Sequence, residues 1–111
     1  MAESPGRGRG RESAELRRLR RKIDALDRRI VRLLNERADL ARAVGRTKAL
    51  ERGRAVRDPE REREVLLRVT MANDGPTPQA DLLAIYRRLF SVARQLETRD
   101  RRAARGDRGR P

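Results

Sequence analysis

An all-α fold of three helices, its core shared between two copies of the chain, is what this sequence predicts, and three observations predict it. Apolar residues recur every three or four positions from Leu16 to Val44, the period of a single helical stripe. Two further helix starts are written at Asp58-Pro59 and Thr77-Pro78, each leading into a shorter apolar stripe. Of the 111 residues, 42% are charged and 2% are aromatic. Too few large side chains are present to fill a compact monomeric globule, so long amphipathic helices must associate to bury their faces.

Taken in order, residues 1–12 alternate Gly and Arg after a Ser-Pro and read as a disordered basic tail. Ser13 caps the first helix and Glu15 lies in its first turn. That helix runs to about Leu50, with Gly45 a tolerated weak point near its end. Its stripe is Leu16, Leu19, Ile23, Leu26, Ile30, Leu33, Leu34, Leu40, Ala41 and Val44. A rod of roughly 55 Å cannot cover such a stripe with two shorter helices alone. It needs a second copy of itself, most simply in an intertwined two-fold dimer.

Residues 51–57 form a polar loop containing Gly53. Asp58 is the next N-cap, Pro59 takes the first helical position, and Glu60 and Glu62 sit near the positive end of the helix dipole. The second helix buries Val65, Leu66, Val69 and Ala72 and ends near Asn73, broken by Asn73-Asp74-Gly75-Pro76. The third, capped by Thr77-Pro78, buries Leu82, Tyr86, Leu89, Phe90, Ala93 and Leu96. After Arg99 the periodicity is lost, so the helical domain spans 13–98 and residues 99–111 read as a second disordered basic tail.

With no cysteine and no histidine, the chain has no thiol nucleophile or disulfide and lacks the commonest general base and metal ligand. No metal-ligand cluster, phosphate-cradling glycine loop or serine triad is written in it, and Thr47-Lys48 lacks the glycines of a nucleotide loop. Neither a metal nor a cofactor is expected. No apolar run reaches the length of a membrane span or a signal peptide, so the expected location is the cytoplasm. The net charge is +13, of which the tails hold +1 and +4, leaving +8 on residues 14–98. A body so basic suits an anionic partner, polymer or small molecule.

The functional signal lies in charges that enter apolar stripes. Arg37 and Lys48 fall within the first stripe, about three turns or roughly 16 Å apart. Glu62 lies in line with Val65 and Leu66, with Arg61 at the edge of that stripe, and Glu97 continues the Tyr86, Phe90, Ala93 line. Arg20 points about 100° away from Arg37, on a flank from which it could reach the other subunit. Singly, each has an ordinary explanation, such as a snorkelling arginine, a lysine near a helix end or an acid in a first turn. Together they describe a polar cavity inside a helical bundle. Arg, Lys and Glu there suit binding of a small carboxylate or phosphate and a reaction accelerated by fixed charges.

Leu19-Arg20-Arg21-Lys22-Ile23-Asp24-Ala25-Leu26-Asp27, Leu33-Leu34-Asn35-Glu36-Arg37, Val44-Gly45-Arg46-Thr47-Lys48 and Val56-Arg57-Asp58-Pro59-Glu60-Arg61-Glu62 together resemble the all-helical class of chorismate mutase, over about residues 14–98. The resemblance implies an isomerase that converts chorismate to prephenate without a cofactor, on the shikimate-derived route to phenylalanine and tyrosine. It implies a homodimer with two active sites, each taking one arginine from the partner. Carried over by position, Arg20 is that trans arginine, on a substrate carboxylate. Arg37 holds a carboxylate in its own site, and Lys48 binds a carboxylate and the ether oxygen of the breaking bond. Glu62 and the backbone of Asp58 hold the substrate hydroxyl, and Arg61 supports the site. Two positions depart from the pattern: Ala93 stands where many members have serine, and Glu97 where many bacterial members have a glutamine that donates to the ether oxygen. Only a protonated glutamate can make that donation, so activity is expected to fall as Glu97 ionises.

Two rival readings stay open on the sequence. An isochorismate-pyruvate lyase of the same fold would have a similar pocket. A basic helical nucleic-acid-binding protein would use the Arg-Gly tail as its anchor, although neither an aromatic platform nor a recognition-helix motif is written here. A regulatory enzyme partner is a third element on which the sequence is silent.

Overall fold

The first two helices begin where a side chain satisfies one of their first free N–H groups. In the computed structural model, which describes residues 11–51 and 55–108, Ser13 Oγ accepts from Leu16 N at 3.0 Å and opens helix α1, Ala14–Leu50. Asp58 Oδ1 accepts from Arg61 N at 3.1 Å and opens α2, Pro59–Ala72, with Pro59 in its first turn. Helix α3, Gln79–Arg108, starts with Leu82 N donating to Pro78 O. Between α2 and α3, Asn73 Nδ2 donates to Thr77 O and to Gln79 Oε1, at 3.0 and 2.8 Å, fixing the turn. All regular structure among the described residues is helical. None of these helices is long and apolar enough to cross a membrane.

The chain resolves into two compact units, one ending at Glu36 and the other beginning at Arg37. In the first, the stripe faces solvent: Leu16, Leu19, Ile23, Leu26 and Ile30 are 40–56% exposed. Its charged side chains pair locally, Arg18 with Glu15 and Arg20 with Glu12. Ten of the twelve residues read as an N-terminal disordered tail lie outside the described residues, as does Gly53 of the polar loop.

In the second unit, the end of α1 packs with α2 and α3 around Phe90, which is 6% exposed. Tyr86 meets Phe90 edge to face, with ring centroids 6.5 Å apart. Leu82, Leu89, Ala93 and Leu96 are half-buried, as are Val65, Leu66 and Val69, whereas Ala72, read as buried, is exposed at the last turn of α2. The larger correction concerns the C-terminal tail: residues 99–108 continue α3. Loss of apolar periodicity is not loss of helix, because Arg and Ala are strong helix formers and no proline intervenes. Asp100 is also tied to α1 by a two-pronged contact with Arg42, at 2.9 and 3.0 Å. That hydrogen-bonded guanidinium holds the Asp100 carboxyl below the usual carboxylate range.

Candidate active site

A hollow of about 280 Å³ opens between the end of α1, the start of α2 and the middle of α3. Arg37 and Lys48 line it from α1, Asp58, Arg61 and Glu62 from α2 and its cap, and Ala93 and Glu97 from α3. Seven of the eight residues singled out from the sequence therefore share one cavity. The eighth, Arg20, belongs to the other unit, where Nη1 lies 2.8 Å from Glu12 Oε2.

Helix geometry explains the convergence. Arg37 holds its guanidinium over the rings of Tyr86 and Phe90, 5.8 and 5.7 Å from their centroids. The negative faces of the rings stabilise a cation that a purely aliphatic wall would exclude. Three turns on, Lys48 Nζ donates to Val56 O at 2.8 Å, which fastens it to the chain leading into α2. The side chain of Lys48 is 12% exposed and its Nζ lies 3.2 Å from Glu97 Oε2, a residue 7% exposed. The approach is off-axis: Oε2 has an ion-pair contact but no hydrogen bond of its own. A buried carboxylate oxygen without a hydrogen bond is costly to leave unsatisfied, which singles out this end of the hollow.

The α2 residues divide their tasks. The Asp58 carboxylate is committed to the cap and its carbonyl accepts from Glu62 N at 3.0 Å, so Asp58 sets the direction in which Glu62 leaves the helix. Arg61 lines the hollow, but its Nη1 is drawn to Glu64 on the exposed side of α2, at 3.8 Å. Glu62 accepts from Arg94 Nη1 at 2.5 Å across to α3. Sequence reasoning passed over Arg94. The available signal was spacing, since Arg94 is four residues after Phe90 and three before Glu97 and so shares their face. Arg94 raises the lining to four cations, with Arg37, Lys48 and Arg61, against the three carboxylates of Asp58, Glu62 and Glu97.

A cavity with cations from three helices, the Phe90 ring and a buried carboxyl beside a lysine is suited to gripping a small polycarboxylate and stabilising charge that grows on it. Residues 19–98 of the chain match the family described as Chorismate mutase type II. The chain belongs to that family. The matched span begins one residue before Arg20 and ends one residue after Glu97, so it contains every site residue discussed above. Among curated relatives, the bifunctional chorismate mutase/prephenate dehydratase of Aquifex aeolicus is 41% identical over 87 residues, covering 75% of this chain and 24% of its own length. The protein of the same name from Neisseria gonorrhoeae is 41% identical over 78 residues, 70% of this chain and 21% of its own length. That from Escherichia coli K12 is 51% identical over 51 residues, 46% of this chain and 13% of its own length. This chorismate mutase type II chain thus spans a quarter or less of the relatives it matches.

Proposed function

We propose that the chain is a chorismate mutase, which rearranges chorismate to prephenate within one molecule, the ether C–O bond breaking as a C–C bond forms. The observation that carries this reading is the convergence of Arg37, Lys48, Glu62 and Glu97, from three helices, on one hollow in a chain of this family. Chorismate is a dianion. Arg37 and Lys48 hold its carboxylates and keep it in the compact, reactive conformer. Glu62 and the Asp58 backbone hold its hydroxyl. Lys48 and protonated Glu97 donate to the ether oxygen as charge builds there.

The same reading makes the active species a homodimer, with Arg20 of the partner subunit completing each site. Support comes from the exposed stripe of Leu16, Leu19, Ile23, Leu26 and Ile30, side chains whose burial is worth about 1.5–3 kcal/mol each. The names of the relatives join a mutase to a prephenate dehydratase, and prephenate released here would serve that next reaction. The test is product identity. Purified chain is given chorismate or isochorismate and the products are identified by NMR. Prephenate from chorismate is expected; pyruvate from isochorismate, with chorismate untouched, would make the chain a lyase instead.

A further inference from the structure

We infer that Gly45 is a positioning residue for Glu97, its missing side chain setting where the Glu97 carboxyl stands. This rests on the mutase reading and adds a residue to it. Gly45 is the buried residue of α1. A Cβ at that position would lie 2.6 Å from Cγ of Glu97, 3.0 Å from Cδ and 3.4 Å from Cβ. Cγ and Cβ are the stem of the side chain and Cδ is the carboxyl carbon itself, and Glu97 is 7% exposed, so a shift of the stem carries the carboxyl with it.

To bring the closest contact out to an ordinary 3.4 Å, the stem must move about 0.8 Å. The carboxyl it carries stands 3.2 Å from Lys48 Nζ, and Lys48 is three residues along the same helix from Gly45. One turn of α1 therefore supplies both the surface against which Glu97 lies and the ammonium its carboxyl meets. A displacement approaching 1 Å in a reacting group is enough to cost about 10²-fold in rate. Glycine inside a helix is otherwise unfavourable relative to alanine. Here the position trades helix stability for the depth of one carboxyl.

A double-mutant cycle tests this, with kcat, KM and Tm measured on the full chain. Gly45→Ala alone is expected to lower kcat about 10²-fold while KM changes less than about 3-fold. In the Glu97→Ala background, Gly45→Ala is expected to cost no further kcat and to raise Tm, because the methyl enters vacated space and alanine is the better helix former. A Gly45→Ala chain that melts out while the double variant folds would support the same contact. Wild-type kcat in Gly45→Ala would overturn the inference. So would an equal loss of kcat or Tm on adding Gly45→Ala to either background, since the glycine would then be making room for something other than Glu97. Failure of the mutase reading is distinguishable, because the wild-type chain itself would then leave chorismate unchanged.

Discussion

Lys48→Ala should cripple turnover while leaving the helices in place. Lys48 Nζ is held from two sides, by Val56 O at 2.8 Å and by Glu97 Oε2 at 3.2 Å, on a side chain 12% exposed. An ammonium fixed in this way needs no rearrangement when negative charge grows on the ether oxygen. Removing one preorganised donor of that kind costs about 10²–10³ in kcat. The lost charge-assisted contact to a substrate carboxylate removes about 1.5–3 kcal/mol of binding, roughly a 10–150-fold rise in KM. Stability responds separately. Glu97, 7% exposed, loses the cation beside it, so a modest drop in Tm is expected. The assay follows the loss of chorismate absorbance and pairs each rate with a circular-dichroism melt. A folded Lys48→Ala chain with kcat within a few-fold of wild type would refute the reasoning.

Four further outcomes follow from the same geometry. Glu97→Gln keeps a donor of the same size beside Lys48 and should retain turnover, whereas Glu97→Ala should lose about 10²-fold in kcat; wild-type kcat in Glu97→Ala would remove the role of Glu97 as a donor. Arg94→Ala frees Glu62 from its 2.5 Å partner and should raise KM about 10-fold with little change in kcat; an unchanged KM, read from steady-state kinetics, would make the pair a surface ornament. Arg20→Ala and Lys48→Ala chains, each inactive alone, should regain activity when mixed and refolded, because a mixed dimer rebuilds one intact site; no recovery, with dimers verified by light scattering, would contradict the trans role. Asp100, whose carboxyl Arg42 holds below the usual range, should stabilise the fold above the unfolded carboxylate range and lose that contribution as pH falls through its own lower value. Tm of Asp100→Asn should therefore lie below wild type at neutral pH and converge with it in acid; a gap that persists in acid would place the effect elsewhere.

Much of this was legible because helix starts are local chemistry. Ser13, Asp58-Pro59 and the Thr77-Pro78 pair announce themselves in a few residues; the Ser13 and Asp58 side chains cap their helices, and the third helix begins directly after Pro78. Arg37 and Lys48 were legible because a cation in an apolar stripe is costly enough to call for a reason. The continuation of α3 past Arg99 was not, since periodicity reports which face is buried and says little about a helix whose faces are all polar. Arg94 was lost among 30 lysines and arginines; what distinguishes it is Glu62 on another helix, a tertiary fact. Gly45 read as a weak point, and only the atoms of Glu97 beside it show why the helix carries one.

The central claim is that fixed charges drawn from three helices suffice to speed an intramolecular rearrangement. Its most direct test is the rate at which chorismate disappears at saturating concentration with the purified wild-type chain, set against the spontaneous rate in the same buffer. An acceleration of about 10⁶-fold, the lower range for enzymes, is the expected result. Chorismate decaying at its spontaneous rate in the presence of folded, dimeric chain would contradict the account.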